Sequence, residues 1–124
     1  METMLDYKPT LASVARFNGW FSLTVNYSVQ ESNLPTPDGN NYFEVKYVIL
    51  PLGKEPPSMG DYPRLVSLLV REIYTADDIE AIVNNYLANT EDARREFDEL
   101  QEWRTEAKKI AREALESVIN TAAL

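Results

Sequence analysis

The sequence predicts an α+β domain: a three-stranded antiparallel β-meander in residues 1–60, packed against two or three helices in residues 61–124, the last of them long. Three observations carry this. An Asn18-Gly19 pair stands between two strand-like runs, the chain alternates apolar and polar residues from Phe21 onward, and residues 96–115, "EFDELQEWRTEAKKIAREAL", hold a helical apolar spacing. A chain of 124 residues suits one domain, because single domains run from about 50 to 250 residues.

The hairpin comes first. "LASVARF" and "WFSLTVNYSV" flank Asn18-Gly19, and a type I′ turn needs two residues at positive φ, which Asn-Gly supplies at least cost. From Phe21, the residues Phe21, Leu23, Val25, Tyr27 and Val29 are apolar or aromatic while Ser22, Thr24, Asn26 and Ser28 are polar, the period of a half-buried strand. "NYFEVKYVIL" repeats it with Phe43, Val45, Tyr47 and Ile49, after a connection that turns at Pro37-Asp38-Gly39. Setting Gln30 against Tyr42 pairs Val29 with Phe43, Tyr27 with Val45, Val25 with Tyr47 and Leu23 with Ile49, all on one face with Val14 and Ala12. The opposite face then gathers Phe17, Trp20 and Leu50 at one end, with Leu52 beside them.

"PLGKEPPSMGDYP" is dense in Pro and Gly and ends the sheet. Asp61 is placed to cap a helix from Tyr62 and Pro63, whose missing N–H is harmless in a first turn, and Leu65, Leu68, Leu69 and Ile73 form its stripe. Thr75 reads as the N-cap of a second helix, with Asp77 and Asp78 complementing its dipole and Tyr74 and Ile79 at the staple positions. Ile79, Ile82, Val83, Tyr86 and Leu87 carry that stripe. The third helix runs from Asn89 or Thr90 to about Val118, laced by i,i+4 charge pairs such as Glu91 with Arg95 and Lys109 with Glu113.

That helix is longer than the domain should be wide. Nearly thirty residues span about 43 Å, whereas a compact chain of this size is roughly 35 Å across. Its apolar seam, from Phe97 and Leu100 through Trp103, Ala107, Ile110 and Ala114 to Val118 and Ile119, keeps helical spacing throughout. Either the first half packs on the sheet and the end frays, or the alanine-rich second half meets a copy of itself or another protein. Trp103, Ala107, Ile110 and Ala114 are therefore candidate partner-binding residues, together with Phe17 and Trp20 on the sheet.

Composition closes several routes to function. A net charge of −8 opposes phosphate backbones, so no nucleic-acid partner is expected. The absence of cysteine and histidine removes thiol nucleophiles, disulfides, the commonest general base and most zinc and iron sites. The start "METMLDYKPT" has neither a basic n-region nor an apolar h-region, and no apolar run approaches the roughly 20 residues of a bilayer span. The expectation is a soluble, cytoplasmic protein with no membrane partner. Asp77, Asp78 and Glu80 read as helix-start chemistry, and Asp38-Gly39-Asn40-Asn41 as a turn that lacks the distal Glu of a calcium loop. No glycine pattern marks a phosphate loop. No cofactor or metal is expected, and no enzyme activity. Arg104, Lys108 and Arg112, at i, i+4 and i+8, are the best anion site in the chain, with Tyr47 or Tyr86 as a ring partner for a nucleotide.

"YTADDIEAIVNNYL" followed by "FDELQEWRTEAKKIAREAL" resembles the C-terminal half of small uncharacterised proteins encoded by bacteriophages and integrated mobile elements. The resemblance is a pattern of helix starts and aromatic positions over roughly the last fifty residues. It implies a phage-type accessory protein, acting in the host cell or incorporated in a virion, and carries over no functional residue. Together these readings favour a non-enzymatic interaction protein that works as a homo-oligomer or by docking on another protein through the long helix. The alternative is a protein that sequesters an anionic metabolite, as an anti-defence factor would.

Overall fold

A computed structural model of the chain describes residues 1–32 and 41–122. The elements are β1 (Glu2–Leu5), β2 (Ala12–Phe17), β3 (Trp20–Glu31), β4 (Phe43–Gly53), a 3₁₀ turn (Met59–Asp61), α1 (Tyr62–Ile73), α2 (Ala76–Leu87) and α3 (Glu91–Ala122). All strand pairs are antiparallel, in the order β1-β4-β3-β2. The class is α+β as expected, but the sheet has four strands, not three. The added strand is "ETML", which sets Glu2 against Lys46 and Leu5 against Phe43. Its start is held by the Met1 ammonium, which donates to the Tyr47 carbonyl at 3.0 Å, and by the Tyr47 N–H, which donates to the Met1 carbonyl at 2.9 Å. Apart from the half-buried Leu5 it is exposed. Backbone pairing holds this strand rather than burial, so it leaves no apolar alternation to read.

The β2–β3 hairpin forms as predicted. Asn18 and Gly19 take φ of 52° and 79°, a type I′ geometry, and pairing from Phe17↔Trp20 back to Ala12↔Val25 puts Val14 opposite Leu23. The β3–β4 register differs from the expected one. Val29 faces Val45, Thr24 faces Ile49 and Leu23 faces Leu50, with shifts on either side of Tyr27 and Leu52. Each shift inserts one residue without a partner, and a one-residue slip exchanges the faces of the sheet. The Tyr27 shift is in β3, so β4 keeps its alternation and sets Val45 on the face of Ile49, with Val48 and Leu50 on the other; Val45, Val48 and Leu50 are buried while Ile49 is 41% exposed. Leu50 therefore belongs to the core and not to the opposite face. The Pro37-Asp38-Gly39 turn lies outside the described residues.

The chain divides into two compact units, one of Met1–Asp61 with the end of α3 from Ala114 onward, the other of Tyr62–Glu113. In the first, Leu23, Val25, Val45, Val48 and Leu50 are buried, as are Ala114, Leu115 and Val118. In the second the buried residues include Leu65, Leu69, Leu100, Ala107 and Ala111. The distal part of α3, from Ala114 onward, thus belongs to the unit that contains the sheet.

Helix ends follow local chemistry. The Thr75 hydroxyl accepts from the Asp78 N–H at 3.1 Å and the Asp78 carboxylate accepts from the Thr75 N–H at 3.0 Å, a complete capping box for α2. The α2 end closes on Asn89 at φ 57°, a left-handed position that Asn tolerates. Thr90 starts α3 by accepting from the Ala93 N–H at 3.1 Å, and Tyr86 stacks on Phe97 with centroids 4.1 Å apart, tying the two helices together. The Asp61 carboxylate reaches back to accept from the Ser58 N–H at 2.9 Å, closing the 3₁₀ turn that precedes α1.

Candidate functional site

The sheet presents an apolar surface at the tip of the β2–β3 hairpin. A type I′ turn leaves the residues on either side of it directly opposed, and here these are Phe17, 78% exposed, and Trp20, 58% exposed. Alternation puts both on the face opposite Leu23 and Val25, with Ala15, Ser22, Thr24 and Ile49. At this end of the face, from Phe17 and Trp20 to Thr24 and Ile49, no side chain that the register places there is charged, although the whole chain carries −8 and Glu31 follows at the far end. Cations border the tip instead: the Lys54 ammonium lies 5.7 Å from the Trp20 ring centroid and the Arg16 guanidinium 5.1 Å from that of Phe21. Gly53, beside Trp20, sits at φ 77°, a backbone conformation that glycine adopts without strain. The face was legible in part. Phe17 and Trp20 were marked by the hairpin, whereas Ile49 was assigned to the core and Leu50 to this face, each reversed by the bulge.

The seam of α3 does not form a second exposed surface. Ala107 and Ala114 are fully buried and Ile110 is 7% exposed. Trp103 is half-buried, and its indole N–H donates to the Leu69 carbonyl at 3.1 Å. Trp103, Ala107 and Ile110 are part of the helical unit and Ala114 of the unit that contains the sheet, and burial continues to Val118. The expectation of a seam overrunning the fold fails because its distal part is buried in the unit that contains the sheet.

Arg104, Lys108 and Arg112 follow one line along α3, with Lys108 and Arg112 exposed and Arg104 half-buried. Tyr86, one ring offered to them, is stacked on Phe97. Arg95, expected to pair with Glu91, lies 2.6 Å from Asp92. The Asp77, Asp78 and Glu80 cluster is the start of α2, and Asp78 is occupied by its capping box. Among the described residues no group of three or more acidic side chains is arranged to hold a metal ion, and no helix is long and apolar enough to cross a membrane. The Asp38–Asn40 segment lies outside the described residues.

Sequence reasoning missed a groove on the other side of the same hairpin. A cavity of about 550 Å³ runs beside β2, lined by Leu11, Ala12, Val14, Phe21, Pro57 and Val118 among others, all within the sheet-containing unit. Its signal was faint, because the connector and the helix end that wall it lie far from β2 in sequence. No protein-family model matches the chain, and no curated protein and no solved structure matches it.

Proposed function

We propose that the chain is a non-enzymatic interaction protein, of the accessory kind its C-terminal half resembles, that docks on a protein surface, its own copy or another, through the open face of the sheet. The observation that carries this is the opposed pair Phe17 and Trp20, both more than half exposed at the uncharged end of the face. Large aromatic side chains left in water forgo the stabilisation of burial, about 25 cal/mol per Å², and Trp is among the residues most enriched where proteins meet. The uncharged hairpin end also lets a second acidic chain approach there with little like-charge repulsion. The docking residues are those of the hairpin, with Phe17 and Trp20 as anchors, in place of the α3 seam.

The test is the double substitution Phe17→Ser with Trp20→Ser. Both residues are exposed, so the melting temperature should change little, while light scattering across a concentration range and capture of a purified partner should both weaken by at least about tenfold. If self-association and partner capture are the same in the variant and the parent, the sheet face is not the docking surface.

A further inference from the structure

The groove beside β2 carries an inference independent of that face. A two-residue turn makes Phe17 and Trp20 a hydrogen-bonded pair, and in an antiparallel ladder such pairs alternate with non-hydrogen-bonded ones. Ser13, Ala15 and Phe17 therefore point their backbone groups at β3, and the Asn26 N–H donating to the Leu11 carbonyl at 2.8 Å continues the series. Ala12, Val14 and Arg16 point theirs outward, along the last strand of the sheet. Alternation gives the same three residues side chains on the groove side: Ala12 and Val14 line the cavity, and Arg16 lies over Phe21, which also lines it. Outward main-chain groups and an apolar groove thus run side by side over about 17 Å, five residues of strand at roughly 3.4 Å each.

The two edges of the sheet are treated differently. β1 is four residues long, and Glu2 lies 3.9 Å from Lys46 across it, the short, charged edge that discourages pairing. β2 has neither proline nor acid, and residues 7–30 contain no carboxylate at all in a chain with twenty. The lining of the groove is uncharged, and the cation at its end is Arg16.

We propose that the outer edge of β2 and this groove bind an extended segment of another protein by strand addition, the segment placing apolar side chains at alternate positions into the groove and a carboxylate against Arg16. The chemistry follows from the wall that meets each group. The outward N–H and C=O groups of Val14 and Arg16 select a peptide backbone, while the Ala12 carbonyl at the far end already accepts from the Thr10 hydroxyl at 3.2 Å; the uncharged lining selects apolar side chains two residues apart, and the guanidinium in an acid-free stretch selects an anion.

The test uses the full chain, labelled with ¹⁵N, and a library of six-residue peptides randomised over Val, Leu, Thr, Ser and Glu. The expected result is enrichment of peptides alternating apolar and polar residues with one Glu, which shift the amide resonances of Val14 and Arg16 saturably. Methylating the alternate amide nitrogens of an enriched peptide leaves the protein untouched and should weaken binding at least tenfold. Arg16→Gln should weaken the Glu peptides roughly tenfold and their Gln counterparts hardly at all, and Phe17→Ser with Trp20→Ser should leave all of them unchanged. The proposal is overturned if no peptide is enriched, if methylated peptides or a simple alcohol such as octanol shift the same amides equally, or if those amides shift with protein concentration alone, which would give the edge to a second copy.

Discussion

Trp103 shows how a residue type that marks interfaces can be committed to the fold. Its indole N–H is spent on the Leu69 carbonyl, one of the last carbonyls of α1, so the side chain joins two helices by a directional bond as well as by its area. Trp103→Phe should keep most of the packing and lose the bond, lowering stability by about 1 kcal/mol. Trp103→Ala should cost about 3 to 5 kcal/mol, as deletion of a large aromatic side chain does. Urea melts of the two variants check this, and a Trp103→Ala that unfolds at the parent's midpoint would remove the packing role. Asp78 gives a second case. The Thr75 N–H, and after it the Thr75 hydroxyl, holds the Asp78 carboxyl below its ordinary value of 3.8. A group whose folded pKa is depressed stabilises above its unfolded pKa, and that contribution is lost as pH falls through the folded value. Acidifying from pH 5 to pH 3 should therefore weaken α2 in the parent, measured by amide exchange at its first turn, and Asp78→Asn should remove that part of the pH dependence.

At the scale of elements, local chemistry was read well and register was not. Asn18-Gly19, Thr75 with Asp78, and the start of α3 near Thr90 each involve residues within four positions of one another, so the sequence displays both partners at once. The β3–β4 pairing depends on where Tyr27 and Leu52 drop out of the ladder; Leu52 stands between Pro51 and Gly53, but Tyr27 has no Gly or Pro beside it. One unmarked residue was enough to exchange the places of Ile49 and Leu50. β1 escaped because its hydrogen bonds and not its side chains make it a strand. The turn itself can be tested: a Cβ at Gly19 meets nothing within 4 Å, yet φ is 79°. Gly19→Ala should thus cost about 1 to 2 kcal/mol through backbone conformation alone, seen as a lower melting temperature with unchanged spectra.

For the molecule as a whole, the α+β plan and the hairpin tip were visible in advance, whereas the destination of the α3 seam was not. Length argued that the helix must outrun its core. Counting residues cannot reveal that Ala111, Ala114 and Leu115 are all fully buried, because their cover is supplied by the tertiary arrangement. Small residues at three of the buried α3 positions, Ala107, Ala111 and Ala114, leave little room for added atoms. Ala114→Leu should destabilise by about 1 to 3 kcal/mol through overpacking, measured by thermal melting. A variant as stable as the parent would mean that this stretch is loosely packed.

One helix contributes to both compact units, since α3 passes from Glu113 to Ala114 without a break in its 32 residues. A loop at that point would let each unit open by itself. A helix does not, because its cooperativity makes an unfolded stretch in the middle costly to nucleate on either side. Protection of the α3 amides against solvent exchange should accordingly rise and fall as a single plateau across Glu113 and Ala114, and a proline at Glu113 should split it into two levels, turning one cooperative opening event into two.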